Sequence, residues 1–536
     1  GIHGATFSSE ALSSGSPAGA VQIGDPITQK KLSDAVVKEA RDQKLYNSIT
    51  DNGAGGISCS VAEMAKESNG CFVNLEKVPL KYPGLEPWKV WVSESQERMT
   101  LAIPKNKWKR FSELMISRDV EATVIGEFND SGRCVVNYHK KTIMDVEMKF
   151  LHDGLPVRPM KTTPIKSSFK EPIIVQQKNL NKTLLSMMER LNVTSFDFIS
   201  KQYDHEVQAN SVIKPLQGKG KVNGETSVVR PVFNSPRAVG ITQGLYPSYS
   251  EIDCYQMAGA SIDTAVRNLI ATGIDIDKIF LLDNFCWCSS NDPQRLYQLK
   301  KAAEACYDFA KIYETPFISG KDSMFNDFKG FDEKGNPVKI SVPPTLLISS
   351  IGLIEDVMKT VSIDIKFPSD LVYILGETKN ELGGSEYFAM NNSVGNNIPK
   401  VDGLKNKKLY QSFYKASQKQ LISSAISIAR GGLGVALAKT ALAGKLGIEV
   451  SLSRLPGKVT RNDFTLFSES QGRILATINP KNKKEFEKIF EGNQFKEIGK
   501  VTNNQQLIIN GLDNKKVVDL NLEQVERAYK STFKNY

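Results

Sequence analysis

Apolar residues recur at helical spacing over 30–43, where Leu32, Val36, Val37 and Ala40 share one face, and a second helix is predicted through 61–66. Apolar runs predict strands at 99–103, 120–125 and 133–138, with Gly126 closing the second and Asp130-Ser131-Gly132 preceding the third. Pro156, Pro159 and Pro164, separated by Lys and Ser, mark a linker over 158–177 after a first domain at 1–157. Strands then alternate with helices. Helices are predicted at 179–192, 259–272 and 293–313, and strands running into Pro231-Val232 and over 278–283, 316–319 and 345–353. This pattern defines an α/β domain at 178–358. A third domain at 359–536 is expected to contain a helix at 418–430 and strands at 472–478 and 506–509. The predicted class is multidomain, α/β together with α+β.

The first and third domains share a cassette. Ser93-Glu94-Ser95-Gln96-Glu97-Arg98, followed by Pro104-Lys105-Asn106-Lys107, returns as Ser468-Glu469-Ser470-Gln471-Gly472-Arg473, followed by Pro480-Lys481-Asn482-Lys483. The paired glycines Gly55-Gly56 return as Gly431-Gly432, in nearly the same register. Long-range self-similarity of this kind reads as an internal duplication, with the third domain a degenerate copy of the first. The copies differ in charge. Asp51 aligns with Ser427 and Glu63 with Lys439, so one copy kept acids that the other lost.

Length and composition change this picture little. The 536 residues suffice for several cores, and 40% apolar with 24% charged is ordinary for a globular chain. No apolar run is long enough to span a bilayer, so no membrane partner is expected. The net charge of +10 suits phosphorylated small molecules or a lysine-rich surface. The densest basic stretches, 405–408 and 481–484, lack interleaved aromatics, which argues against nucleic acid. Seven cysteines without regular pairing fit a reducing cytoplasm. The close pair Cys286 and Cys288 has no second pair or nearby His to make a zinc site. The start at Gly1-Ile2-His3-Gly4, without Met or signal region, reads as a fragment beginning inside a longer protein.

Candidate chemistry lies in five places. Asp51-Asn52-Gly53-Ala54-Gly55-Gly56 puts a carboxylate at a glycine turn that opens a helix, which suits a metal-bound phosphate or, more plainly, an N-capped turn. Glu94, Ser95 and Gln96 supply one anion and two neutral hydrogen-bonding groups for a polar substrate, though polar loops also arise for structural reasons. Gln22 orients a substrate amide or satisfies its turn. Gly320-Lys321-Asp322-Ser323 follows an apolar strand, placing its polar groups at a strand's carboxyl end, where Asp322 is a candidate Mg²⁺ ligand. Asp283, at another strand end, contacts a nucleotide or caps its turn. Neither a Walker loop nor a dinucleotide fingerprint is present, and four histidines leave no visible nucleophilic triad.

Together, 1–7, 21–26, 51–56, 93–99, 203–207, 320–324 and 382–387 (Leu382-Gly383-Gly384-Ser385-Glu386-Tyr387) resemble phosphoribosylformylglycinamidine synthase, in family order. The resemblance implies an internally duplicated architecture like that of aminoimidazole ribonucleotide synthetase, with the first α/β domain and its catalytic residue upstream of residue 1. It implies ATP-dependent amidation of formylglycinamide ribonucleotide. Carried over by motif, Gln22, Glu94, Ser95, Gln96 and Ser323 bind substrate, Asp204, Asp283 and Gly320 contact nucleotide, and Asp51, Asn268 and Asp322 hold Mg²⁺. The cofactors implied are ATP and Mg²⁺, and the ammonia comes from a glutaminase subunit or domain not seen in this chain. Ser427-Ile428-Ala429-Arg430, where relatives often have His-Asp, and Thr264, where many have Glu, imply a degenerate second site. The competing readings are a sister ATP-dependent synthetase and a non-catalytic nucleotide-binding scaffold.

Overall fold

The computed structural model describes residues 24–80, 83–166, 168–202 and 207–536. Gln22, Asp204 and the motifs at 1–7 and 203–206 lie outside the described residues. The chain divides into two units, one of Gly1–Met160 with Phe325–Ile340 and one of Lys161–Met324 with Ser341–Tyr536.

In the first unit, Asp25 caps a helix at Pro26–Ser33 by accepting from the Ile27 amide at 3.3 Å, and the helix continues as a π segment at Asp34–Ala40. Ala35, Ala40, Phe111, Leu114 and Met115 form one small core. A second core gathers Ile57, Val61 and Ala65 of helix Gly56–Ser68 against Cys71, Val73, Cys134 and Val136 of a four-stranded sheet. Strand Ser48–Asp51 pairs separately with Met99–Ala102, in a register that sets Asp51 opposite Met99. Residues 120–125 form no strand; the ladder begins at Gly126–Phe128.

The second unit explains that difference. There Phe495–Thr502 is a strand because it is flanked by Leu371–Leu375 and Gly447–Ser451, which helps join seven strands into one sheet. Among the described residues, 120–125 have no such flanking strands, and β propensity without a paired neighbour does not make a strand. Otherwise the elements of the two copies follow each other closely. Helix Gly56–Ser68 matches Gly432–Gly444, and Met99–Ala102 matches Ile474–Ile478. The short helices Pro87–Val92 and Asn462–Phe467 also correspond.

The helix expected at 418–430 is corrected. A helix runs from Gly403 to Gln418, ends near Gln420 with its positive φ of 55°, and is followed by strand Ile422–Ser427. Leu421, Ile422, Ala425, Ile426 and Ile428 satisfy either period, and the ladder to Ile474–Ile478 decides for strand.

The α/β part of this unit is a six-stranded sheet packed by the buried helix Cys254–Ala271. Helix Pro293–Tyr313 occupies its expected span, capped by Asp292. The sheet is mostly antiparallel. Its one parallel pair joins Ile279–Cys286 to the edge strand Phe317–Ser323. The motif at 320–323 therefore forms the last part of its strand, which ends at Ser323, and Asp283 stands mid-strand in Ile279–Cys286.

Candidate functional site

The site in the first unit is built around two glycines. Gly55 and Gly56 have φ of 82° and 57°, a left-handed pair that swings the chain from strand Ser48–Asp51 into helix Gly56–Ser68. A Cβ on Gly56 would lie 1.9 Å from the Ser93 carbonyl oxygen, so the turn and the 93–98 loop are pressed backbone to backbone. Gly56→Ala is expected to destabilise this unit by about 1–3 kcal/mol or more. Gly84→Ala, at a positive φ of 87° in open space, serves as the control that has strain without collision. Thermal melts of the two variants separate the effects.

Arg98 shapes the loop from within. Its guanidinium donates to the Ser93 carbonyl at 2.5 Å and the Ser95 carbonyl at 3.1 Å, while the Gln96 amide donates to the Glu94 carbonyl at 3.2 Å. The Ser93 and Ser95 hydroxyls share a hydrogen bond at 2.9 Å. With the backbone so tied, Glu94 and Ser95 remain half-buried and Gln96 is exposed, next to the glycine turn and the amino end of a thirteen-residue helix. That helix end favours an anion.

Asp51 is exposed at the strand end, and Thr100 donates to the neighbouring Asn52 at 2.7 Å. Burial, a hydrogen bond to Glu63, and the charges of Glu63 and Asp51 push the Cys59 thiol up to about 11. The carboxylates of Asp51 and Glu63 thus act on one small region. Among the described residues, no three His, Cys, Asp or Glu side chains gather into a metal cluster. A Mg²⁺ that keeps waters and shares phosphate oxygens needs only one or two carboxylates, which Asp51 fits. Cys59 is expected to react slowly with iodoacetamide at pH 8, where roughly a thousandth of it is thiolate, and Glu63→Gln to accelerate it; the alkylation rate checks both.

In the second unit, Asp283 and Gly320 face each other across the parallel ladder, and a Cβ on Gly320 would meet the Asp283 carboxylate at 2.4 Å. Burial raises the Asp283 carboxyl above its usual value, the Lys321 amide opposes this, and the Asp322 charge adds to the rise. Lys321 also donates to the Ser323 hydroxyl. Asp283, Gly320 and Asp322 thus share one face of two adjacent strands, while Ser323 alternates to the other face with Lys321. Asn268 is not with them. Its amide donates to the Thr242 hydroxyl at 3.1 Å and the Gln243 carbonyl at 3.3 Å, on strand Ala238–Leu245. Two strands separate that strand from the edge, a spacing of roughly 14 Å in the hydrogen-bonding direction. A single ion shared by Asn268 and Asp322 does not fit this sheet.

The second cassette repeats the first bond for bond. Arg473 donates to the Ser468 carbonyl at 2.6 Å and the Ser470 carbonyl at 2.9 Å, and the Gln471 amide donates to the Glu469 carbonyl at 3.1 Å. A Cβ on Gly432 would lie 2.5 Å from the Ser468 carbonyl oxygen. Yet this loop is sealed. Glu469 is 0% exposed and accepts from the Gly431 amide at 2.9 Å, the Glu386 amide at 3.0 Å and the Tyr249 hydroxyl at 2.7 Å. Gln471 accepts from Thr264 at 3.0 Å and Arg267 at 3.1 Å. Glu469 and Gln471 are engaged and buried in copy two, whereas Glu94 and Ser95 are half-buried and Gln96 is exposed in copy one. Sequence reasoning missed the organising arginines; their signal was present, since Arg98 and Arg473 close both cassettes.

The chain matches the family model "AIR synthase related protein, C-terminal domain" over 1–139 and 368–510. It is 33% identical over 544 residues to phosphoribosylformylglycinamidine synthase subunit PurL of Methanocaldococcus jannaschii, covering 99% of this chain and 71% of that protein. Among solved structures, phosphoribosylformylglycinamidine synthase II of Thermotoga maritima superposes with a TM-score of 0.62 at 21% identity, over 90% of this chain and 68% of that one. T. maritima PurL complexed with ATP gives 0.60 at 20%, over 92% and 69%. The same protein complexed with FGAR gives 0.61 at 20%, over 90% and 66%.

Proposed function

The chain belongs to the phosphoribosylformylglycinamidine synthase family, and from that premise we propose how its two copies divide the work. It is an ATP-dependent carbon–nitrogen ligase of purine biosynthesis, converting formylglycinamide ribonucleotide to the formylglycinamidine. The γ-phosphoryl group of ATP passes to the amide oxygen and ADP leaves. Ammonia then adds at the amide carbon, and phosphate departs carrying the former amide oxygen.

The observation that carries the division is the contrast between the open Glu94 loop and the sealed Glu469 loop, which have the same local hydrogen bonds. Glu94, Ser95 and Gln96 bind the ribonucleotide, the Glu94 carboxylate accepting from ribose hydroxyls or the substrate amide. The helix at Gly56–Ser68 offers its amino end to phosphate. Asp51 holds Mg²⁺, which when bound neutralises charge on the transferring phosphoryl oxygens. We assign Asp283, Gly320 and Ser323, on two adjacent strands, to nucleotide or phosphate contact, with Asp322 as the metal-facing acid. Gln22 and Asp204 join these roles by motif alone. The boundaries proposed for the domains are those of the sequence pattern, 1–157, 178–358 and 359–536.

We place the ammonia source on a glutaminase subunit or domain and the protein in the cytoplasm, where ATP and ribonucleotide substrates occur. No helix among the described residues is long and apolar enough to cross a membrane. The test is ADP release by the protein at the full length of its relatives, given Mg-ATP, ammonium and formylglycinamide ribonucleotide, each omitted in turn. Release that requires both ammonium and the ribonucleotide is expected. ATP turnover indifferent to the ribonucleotide would remove the assignment.

A further inference from the structure

Where the first copy carries two acids, the second carries a lysine and a serine. Lys439, aligned with Glu63, sits in helix Gly432–Gly444, every residue of which is buried, and is itself 8% exposed. Its ammonium pairs with Glu225, which precedes strand Thr226–Val229. Ser427, aligned with Asp51, accepts from the Arg267 guanidinium at 2.9 Å. Arg267 is 0% exposed and also donates to the Ile428 carbonyl at 3.2 Å and pairs with Asp263.

Glu225, Asn268 and Ser427 also line a cavity of about 10 Å³. This is room for about one water and too little for a hydrated divalent ion. The Asn268 Oδ1 is buried there without a hydrogen-bond partner. The Asn268 amide oxygen is neutral, the Ser427 hydroxyl is already engaged by arginine, the Glu225 carboxylate is already neutralised by lysine, and the other polar side chains of the lining, Gln217, Thr226 and Thr272, are neutral and hydrogen-bonded. Mg²⁺ asks for oxygen ligands with charge left to share, and this set does not fit it.

We propose that the Lys439 ammonium is a built-in substitute for a divalent cation in the second copy, so that Glu225 is permanently neutralised from within and the cleft takes no metal. Long, flexible and point-charged, lysine can deliver its cation from a helix interior to a carboxylate on the neighbouring domain. The second half then keeps the geometry of an ion-held cleft without depending on an ion. This inference is independent of which reaction the first copy catalyses, because its readout is metal stoichiometry.

The experiment counts Mn²⁺ on the EDTA-stripped full chain by electron paramagnetic resonance of the free ion. Lys439→Glu, which restores the acid of the first copy, is expected to gain one Mn²⁺ per chain, bound at least about tenfold tighter than any added site in Lys439→Met. The gain should vanish when Glu225→Gln is added. In the wild-type background, Asn268→Ala or Glu225→Gln should leave the Mn²⁺ count unchanged. Loss of a wild-type Mn²⁺ site in either variant would overturn the proposal, and so would a K439E chain that melts cooperatively yet gains no site. Should K439E fail to fold, the two wild-type-background variants decide alone.

Discussion

Asp263→Ala is expected to be the most damaging single substitution in the second unit, lowering its stability by about 3–5 kcal/mol. The Asp263 carboxylate is 0% exposed and collects five donors: the hydroxyls of Tyr313 at 2.6 Å and Tyr410 at 2.7 Å, the Asn406 amide at 2.8 Å, the Gly472 amide at 3.1 Å, and the Arg267 guanidinium. Burial by itself would depress the Arg267 pKa, and the Asp263 charge together with Tyr410 and Tyr246 more than reverses this. Removing the carboxylate strands a buried cation and four neutral donors, and each stranded group keeps its desolvation cost. A fall of roughly 10 °C in the melting transition of this unit follows. The double variant D263A/R267M should recover part of the loss, since an apolar side chain tolerates burial that an unpaired guanidinium does not. A melt within about 1 kcal/mol of wild type for Asp263→Ala would show that the network contributes little.

Asp51→Ala is expected to reduce substrate-dependent ADP release by at least about a hundredfold, the scale on which a single preorganised electrostatic group is lost from an active site. The fold should survive. Asp51 is exposed at the end of strand Ser48–Asp51, and the turn that follows is held by glycine backbone, with the Gly56 amide donating to the Gly53 carbonyl at 2.8 Å. An unchanged melt with lost turnover therefore assigns chemistry to the carboxylate. Ser427→Ala, at the same position of the second copy, should leave ADP release unchanged, because Ser427 faces Arg267 and no substrate. Near-normal turnover in Asp51→Ala would take Asp51 out of the metal site.

Asp51 and Ser427 are aligned positions of a repeat, and the repeat was legible in the chain alone. Elements with one clear period were placed within a few residues, as at Pro293–Tyr313 and Arg133–Tyr138. The failures had a common cause. Residues 120–125 and 418–430 carry apolar patterns whose outcome depends on which strand lies alongside, and the partner of Ile422–Ser427, strand Ile474–Ile478, lies well outside the local window. That Asn268 and Asp322 lie on separate parts of the sheet was likewise unreadable from the chain, since sheet order sets their distance.

The sequence by itself determined the repeat, the glycine turns and the conformation of both Ser-Glu-Ser-Gln cassettes. Those features are written locally: left-handed glycines set the turn, and each cassette arginine ties carbonyls within five residues of itself. Only the tertiary structure decided which of the two loops is buried. Glu94 and Glu469 stand in the same hydrogen-bonded loop, but Tyr249, Thr264 and Arg267 arrive from a distant part of the chain to engage the second loop, leaving Glu469 with no exposed surface. Burial and ion pairing depend on what packs against a loop, and no local spacing records the arrival of that neighbour.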